Sequence, residues 1–428
     1  MTIYEIANKQ VSKKTLFWAF IIVVFFPSLI AVGLQQSSFI VGILSSSIFT
    51  IGIFLYLKAK KITITLHNSK TVFFFTFYCL LILALHTIIA ILKNHNFDIF
   101  RFIGSIIAVF ILLTAAYLFV LISEYSSPLT FQKAIGRILI LFALIAIICG
   151  VFDINPANYR RLHRPIFPFF EPSHFALISA PFYLWAIAVQ TSKKLRTLIA
   201  ISPVVLLFFI SNFTLVLLIL LGVLIAFKLR NLFFFFIIIA IGFYFIAANL
   251  EYYSKRLDFS SSKSSISDLS TLVWLEGWEE AYIDFRQTNG IGVGFQQFGV
   301  TTPQGDAANA IYDILGNYSN RYDGGTFSAK IIGEFGCLGL VVILVILRKA
   351  WKSFLFLRDR VLVSNSTPQL IFYHCCVFYF VLELFVRSLS YLAPGFFIFA
   401  LGIIGLTFNI YKNKRGLTTE TDSQIIFN

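Results

Sequence analysis

Long apolar runs follow one another along most of this 428-residue chain. Many of them exceed the roughly 18 residues that a helix needs to cross the hydrocarbon core of a bilayer. Because backbone N–H and C=O groups have no water to bind there, runs of this length fold as helices. With 58% hydrophobic and only 13% charged residues, the chain is predicted to be an all-α polytopic membrane protein.

The apolar runs predict twelve membrane spans with both termini on one side. The first run is too long for a cleavable signal peptide and lacks a small-residue cleavage site, so it is interpreted as the first span. A short pair of runs that meets at the polar residues 211–214 indicates either a hairpin that stops within the membrane or misplaced boundaries. The predicted spans cover residues 15–34, 37–57, 71–92, 102–122, 138–154, 175–190, 197–211, 213–227, 231–250, 327–347, 370–387 and 389–410.

These spans divide the chain into four parts. Residues 1–250 carry spans 1–9 and an external loop at 155–174, and residues 251–326 form one large external loop with short helices. Residues 327–411 carry spans 10–12, and residues 412–428 form a cytoplasmic tail. All five cysteines fall within predicted spans, so no disulfide framework is expected.

The net charge of +14 is explained by topology. The connections on the side of the termini hold 22 of the 34 lysines and arginines, and the positive-inside rule places that side in the cytoplasm. A basic patch for nucleic acid is therefore not expected, because the positive charge follows the loops on one side of the membrane.

One external loop concentrates charge that topology does not explain. Residues 160–174 hold three arginines, two histidines, three prolines and one glutamate. Arginine presents a planar fork of donors that fits phosphate or carboxylate, and it stays charged when poorly solvated. Arg160, Arg161 and Arg164 therefore predict an anion site. Glu171 precedes a proline and a serine, a pattern that equally fits a structural role at a helix start.

The large external loop contains two recognisable patterns. Residues 271–287 predict an amphipathic helix lying against the membrane or the bundle, with its carboxylates away from the apolar stripe. The glycine-rich residues 289–295 lack the preceding strand that a nucleotide-binding loop requires, so they predict a tight turn. The apolar stripe consists of Leu272, Leu275, Trp278, Tyr282 and Phe285, and the carboxylates are Glu276, Glu280 and Asp284.

Helical spacing predicts two ion pairs within spans, Lys330 with Glu334 and Glu383 with Arg387. A charge within a span costs on the order of 3 kcal/mol, and such residues usually face an interior cavity or pathway. A functional role is favoured for the second pair, while structural and functional roles both stay open for the first. Arg321 lies just outside the membrane, where a solvated loop arginine is the default interpretation.

Taken together, these patches resemble bacterial O-antigen polymerases and related polysaccharide polymerases. The resemblance implies an inverting, metal-independent glycosyltransferase with no cofactor. Such an enzyme would join undecaprenyl-diphosphate-linked repeat units on the outer face of the bacterial cytoplasmic (inner) membrane. The resemblance is carried by the arginine-rich loop leading into residues 170–174, the late loop with Trp278 and residues 290–295, residues 333–339, and residues 383–388 with Tyr391.

The resemblance also suggests roles for individual residues. Arginines would stabilise the leaving lipid diphosphate, and a carboxylate or imidazole would take the proton of the acceptor hydroxyl. Glu171 is the first candidate for this base, with His174 and His163 behind it. The sequence offers neither an Asp-x-Asp pair nor a His/Cys cluster as metal ligands. The candidate diphosphate-binding residues are Arg160, Arg161, Arg164, Arg321 and Arg387, and the candidate supporting residues are Glu383, Tyr391, Lys330 and Glu334.

The expected partners are the lipid-linked glycan and membrane lipid, with a chain-length regulator and a flippase as further candidates. Three competing functions stay open. A transferase like the O-antigen ligases would share the architecture, but those enzymes rely on a histidine in the large external loop, and residues 251–326 contain none. A lipid-linked glycan transporter would also use many spans with buried charges, but no internal repeat relates the two halves. The third is a glycan- or lipid-binding protein without catalysis.

Overall fold

A computed structural model describes most of the chain, and the described residues are almost entirely helical. Apart from an isolated bridge between Ile166 and Phe169, no β-pairing occurs within them, so the predicted all-α class is confirmed for this part of the chain. The described residues are 10–36, 38–60, 62, 69–92, 97–152, 166–207, 209–210, 212–227, 269–318, 320–388 and 390–414.

The first half of the chain forms helices with capped starts. Ser12, Asp98 and Ser127 each accept a hydrogen bond from the backbone N–H three residues later, a donor that the helix start leaves open. A π-helical turn, Ala146–Val151, extends the sixth helix. The helices are α1 (Lys13–Val24), α2 (Phe26–Gly33), α3 (Ile40–Ala59), α4 (Ser69–Ile91), α5 (Ile99–Glu124), α6 (Pro128–Ile145), α7 (Pro172–Val189), α8 (Lys193–Ile201), α9 (Val204–Leu207) and α10 (Phe213–Ala226).

The second half follows the same pattern around one long helix. Thr326 and Thr367 cap two of its helices through their hydroxyl oxygens. The helices are α11 (Leu269–Gln287), α12 (Asp306–Leu315), α13 (Phe327–Arg358), α14 (Arg360–Ser364), α15 (Pro368–Phe378), α16 (Phe380–Phe385) and α17 (Pro394–Lys414).

Six helical segments are long and apolar enough to cross a membrane. They are α3, α5, α6 extended to Cys149, α7, α13, and α15 together with α16. Helices α1 and α2 meet at a bend of 46° and would form a seventh span if they act as one. Shorter apolar helices lie at Thr76–Ile91, Phe213–Ala226 and Pro394–Asn409. A helical membrane protein is thus supported, but the predicted twelve spans are not confirmed within the described residues.

The predicted span at 197–211 is not a continuous helix. Two short helices, α8 and α9, occupy this region, and Ser202 and Pro203 separate them. Proline lacks the N–H that would continue the helical hydrogen bonds, which explains the interruption. The predicted span at 231–250 lies outside the described residues.

An aromatic cluster holds five helices of the bundle together. The ring of Phe20 on α1 makes edge contacts with Phe119, Phe131, Phe182 and Phe372, at centroid distances of 5.0 to 5.8 Å. These four rings belong to α5, α6, α7 and α15, respectively. Between apolar helices, close packing of this kind replaces the hydrophobic driving force that water would supply.

The glycine-rich turn of the large loop docks into a break in α13. Gly336 interrupts this helix with φ 55° and ψ −126°. The carbonyls of Gly333 and Glu334 instead accept hydrogen bonds from the N–H groups of Val293 and Gly294, each at 2.9 Å. The predicted tight turn is confirmed by its positive φ angles. The turn fixes the large loop against the N-terminal third of α13. Glycine residues in the turn and in the helix break adopt the backbone angles that this contact needs.

Helix α11 agrees with the helix predicted at 271–287, but its carboxylates lie on a packed face. Glu276, Glu280 and Asp284 are each 4% exposed, whereas Tyr282 of the apolar stripe is 61% exposed. The packed surface of this helix therefore includes the carboxylates and does not follow the apolar stripe at Tyr282. One reason is that this face contacts the following loop. Glu280 accepts a hydrogen bond from the N–H of Gln304 in that loop at 3.4 Å.

Glu276 gives a stability prediction for this face. Burial, together with the neighbouring Glu280 and Glu279, raises its pKa from 4.5 to about 8. An acid whose pKa is raised on folding destabilises the protein above its unfolded pKa, increasingly until the folded pKa is passed. We expect Glu276→Gln to leave stability unchanged near pH 4 and to raise it by on the order of 2 kcal/mol above pH 8.

Thermal unfolding of the purified protein between these pH values measures the difference. The exposed Asp313, replaced by asparagine, serves as the control and should show no gain that grows with pH. An equal gain in both variants, or none in Glu276→Gln, would contradict the burial of an ionisable carboxyl on α11.

Candidate functional site

A cavity of about 540 Å³ gathers polar side chains from both halves of the chain. This volume lies in the usual range for small-molecule sites. Its walls come from the α2–α3 connection, the starts of α5 and α7, and the loops at 320–325 and 387–392, with Val273 and Gln296 completing them. The lining residues belong to the end of the bundle that the sequence predicts to be external.

Five helices begin at this cavity. Phe39, Asp98 and Glu171 are the N-cap residues of α3, α5 and α7, and all three line it. Gly325 and Leu392, just before α13 and α17, also line it. A helix N-terminus carries a partial positive charge of about half an elementary charge. At the starts of α5 and α13, the side chains of Asp98 and Thr326 each already accept one backbone N–H. Together these helix starts favour an anionic ligand.

Glu171, His174 and Arg387 meet in the cavity. The Arg387 Nη2 donates to Glu171 Oε2 at 3.3 Å, and Ser173 Oγ donates to the same oxygen at 3.0 Å. The Nε2 of His174 lies 3.7 Å from that oxygen. Although Glu171 is the N-cap residue of α7, its side chain makes no capping hydrogen bond. The carboxylate therefore contacts Arg387 in the cavity and does not cap the helix.

The helical spacing from which Glu383 and Arg387 are paired does not reach Arg387, because α16 ends at Phe385. Among the described residues, the ion pair of Arg387 is with Glu171, 216 positions away in the sequence. Glu383 is 2% exposed and lies so close to Gly395 that any side chain there would collide with its carboxyl group. It does not line the cavity.

Backbone contacts fix the segment that carries Arg387. The indole Nε1 of Trp274 on α11 donates to the carbonyl of Phe385 at 3.0 Å. The N–H of Ser388 donates to the carbonyl of Gly325, also at 3.0 Å. The Nε of Arg387 itself has no hydrogen-bond partner among the described residues. The backbone on both sides of Arg387 is thus held in place, while the guanidinium Nε has no partner among the described residues.

Arg101 is a second cavity arginine that the sequence did not single out. Its guanidinium lies 4.2 Å from the ring centroid of Tyr322, and its Nη2 donates to Gln296 Oε1 at 3.4 Å. The sequence could have indicated Arg101, because it directly precedes the predicted span at 102–122 on the external side, where the positive-inside rule does not account for basic residues. The predicted Arg321 does not line the cavity, and its guanidinium lies 4.5 Å from the centroid of the same Tyr322 ring.

A buried ion pair supports the loop that forms one wall. The Nζ of Lys330 lies 3.7 Å from Glu334 Oε1, and both side chains are fully buried, so this predicted pair is confirmed. The same Nζ donates to the carbonyl of Tyr322 at 2.5 Å and lies 5.3 Å from the ring of Tyr391. The Asp323 carboxyl interacts with this lysine and with both cavity arginines. Lys330, Glu334 and Tyr391, three of the four predicted supporting residues, thus lie behind the cavity wall.

Three cavity residues have a backbone conformation that side chains other than glycine rarely adopt. Gln296 and Asn320 have φ of 61°, and Ser390 has φ of 77°. All three line the cavity. Residues held in such conformations cost energy and cluster at functional sites, which favours a functional role for this cavity.

Several predicted residues cannot be placed against this geometry. Arg160, Arg161, Arg164 and His163 lie outside the described residues and precede the described Ile166 in the sequence. Within the described part of the chain, no three His, Cys, Asp or Glu side chains gather in a way that could hold a metal ion.

Comparisons of the chain with protein-family models, with curated proteins and with solved structures gave no match. The indications of function therefore come from the cavity itself. Its helix starts and arginines can bind an anion, and a carboxylate with an imidazole beside it can accept a proton.

Proposed function

We propose that this chain is a membrane glycosyltransferase that polymerises undecaprenyl-diphosphate-linked oligosaccharide repeat units into a surface polysaccharide such as O-antigen. In this proposal the chain lies in the bacterial cytoplasmic membrane with both termini in the cytoplasm and the cavity facing outward. One observation carries it: five helix starts and two arginines converge on a cavity that also holds Glu171 and His174. Such a site suits a reaction that expels a diphosphate and removes a proton.

The proposed step is a direct displacement. The oxygen of the acceptor hydroxyl bonds to the anomeric carbon of the donor sugar, while the bond from that carbon to the diphosphate oxygen breaks. The electron pair of the broken bond leaves with the diphosphate, and Glu171 takes the hydroxyl proton. Attack opposite the leaving group inverts the anomeric centre. Arg387 and Arg101 stabilise the negative charge that develops on the diphosphate.

The ion pair in the cavity suggests how donor binding prepares the base. Without donor, Arg387 neutralises Glu171 at 3.3 Å. A diphosphate carries more charge than a carboxylate and matches the arginine fork, so it competes for Arg387. Release from this cation makes the carboxylate of Glu171 more basic, because a nearby positive charge favours the ionised form. The base therefore becomes effective when the leaving group is in place.

Reconstitution of the purified full-length protein tests the proposal. Proteoliposomes with a synthetic lipid-diphosphate repeat unit and a chelator should produce a ladder of longer glycans, measured by gel electrophoresis and mass spectrometry. An O-antigen ligase-like enzyme would transfer glycan once to a lipid acceptor instead. A transporter would move the lipid-linked glycan across the bilayer without elongation. Absence of a ladder when the substrate is presented to the correct face would refute the polymerase.

A further inference from the structure

Three arginines meet at the end of the bundle opposite the cavity. The Arg360 Nη1 donates to the carbonyl of Ala188 at 2.9 Å, and its Nη2 donates to that of Ile225 at 3.0 Å. These carbonyls belong to the last turns of α7 and α10. Arg358 and Arg196 lie near enough to Arg360 to interact with its charge. Arg196, Arg358 and Arg360 are called the arginine cluster below.

The cluster brings like charges together without a counter-ion. Burial, with the charges of Arg196 and Arg358, lowers the pKa of Arg360 to about 10. Within the described part of the chain, no carboxylate forms an ion pair with any of the three. The nearest in sequence, Asp359, accepts hydrogen bonds from the N–H groups at the start of α14 at 2.9 and 3.1 Å. The three positive charges therefore lack a neutralising partner there.

Two donors of the cluster are also unfilled. Arg196 Nε and Arg358 Nη1 are buried and have no hydrogen-bond partner among the described residues. A buried donor without a partner is destabilising. A cation is favourable at a helix C-terminus, which accounts for the position of Arg360 at the ends of α7 and α10. The same holds for Arg358, which donates to the carbonyl of Phe227, just after α10, at 3.2 Å. Arg196, near the start of α8, has no such explanation.

Apolar side chains are exposed on α8, which carries Arg196, and on α9, which follows it. On α8 and α9, Leu198 is 64% exposed, Val205 is 60% exposed and Leu195 is 43% exposed. Lys193 and Lys194 on the same helix are exposed as well. A short helix that presents both apolar and basic side chains is typical of the membrane interface, where acyl chains and phosphates lie side by side.

We propose that the arginine cluster binds the phosphate of an anionic phospholipid in the leaflet at this end of the bundle. The three arginine side chains are each partly exposed, so the phosphate can approach them and supply negative charge, while the acyl chains cover the apolar residues of α8 and α9. By the positive-inside rule this end is the cytoplasmic one. The site is separate from the cavity and does not depend on the function proposed for it.

Lipid titration of the full-length protein in detergent tests the site. Native mass spectrometry should find phosphatidylglycerol bound more tightly than phosphatidylcholine. Arg196→Gln should weaken phosphatidylglycerol binding about tenfold, the effect of losing one charge-assisted hydrogen bond, and leave phosphatidylcholine unchanged. Arg286→Gln, which removes an exposed arginine on α11, is the matched control and should bind as the wild type does.

A charge reversal separates lipid binding from a structural role. Arg196→Glu places a carboxylate beside Arg358 and Arg360, which lowers the formal charge of the cluster from +3 to +1. We expect a higher melting temperature than that of the wild type without added lipid, and no further rise with phosphatidylglycerol. A merely structural Arg196 would instead give a lower melting temperature. Wild-type protein should be stabilised by phosphatidylglycerol but not by inorganic phosphate alone.

Three results would overturn the proposal. The first is equal binding of the two lipids by the wild type. The second is an unchanged lipid preference in Arg196→Gln. The third is stabilisation by inorganic phosphate that equals the effect of phosphatidylglycerol, which would assign the site to a free anion.

Discussion

Glu171→Gln is expected to abolish elongation while the protein still folds and reaches the membrane. Glutamine keeps the size of the side chain but cannot accept the hydroxyl proton, and loss of a positioned general base lowers rates by about 10²- to 10⁴-fold. The fold should tolerate the change because Glu171 is 30% exposed and makes no capping hydrogen bond to α7. Initial rates of repeat-unit joining in proteoliposomes measure the effect.

Ser173→Ala provides a control within the same site. It removes the hydroxyl that donates to Glu171 Oε2 at 3.0 Å but keeps the carboxylate, so we expect less than about a tenfold loss of rate. His174, with Nε2 3.7 Å from that oxygen, is the competing base. Near-normal elongation in Glu171→Gln, together with loss in His174→Gln, would transfer the role of base to the histidine.

The sequence predicts the residues of this site better than their contacts. Glu171, His174 and Arg387 stand out because charges are rare near the spans, and all three line the cavity. The partner of Arg387 could not be predicted, because helical spacing applies only while the helix continues and α16 ends two residues earlier. A contact across 216 positions depends on tertiary packing, which local spacing does not encode.

In the fold, too, features set by the local sequence could be predicted, and features set by tertiary packing could not. Apolar runs predict α3, α5, α7 and α13 close to where they lie, because apolar length is a local property. The break between α8 and α9 is a local effect of Pro203 that an average over a long apolar run conceals. The burial of the α11 carboxylates is a tertiary effect, since the backbone donor that contacts Glu280 is Gln304, in the loop before α12.

The role of Arg101 required the structure for a related reason. A lone arginine beside a span is common, and only the approach of Tyr322 and Gln296 from the large loop makes it part of a site. The loop reaches α5 through Gln297, whose side chain exchanges hydrogen bonds with the backbone of Asp98 at 2.9 and 3.1 Å. These contacts join segments about 200 residues apart, so the cavity exists only in the folded chain.

Arg387→Ala is expected to lower kcat/KM for the lipid-linked donor by about 10²- to 10³-fold, the usual effect of removing one group that stabilises a developing negative charge. Arg387→Lys should recover only part of this loss, because lysine keeps the charge but cannot bind a diphosphate through a planar fork. Arg101→Ala should have a smaller effect, since its guanidinium is already engaged by Tyr322 and Gln296.

Steady-state kinetics with each variant, and Arg286→Ala as an exposed control on α11, distinguish binding of the diphosphate from support of the fold. A donor-binding role predicts a higher KM together with a lower kcat in Arg387→Ala, because the guanidinium contacts the diphosphate both before and during its departure. It also predicts little added loss when Arg387→Ala is combined with Glu171→Gln, since the two residues act in one step. Equal losses in the alanine and lysine variants, with unchanged KM, would mean that Arg387 only positions Glu171.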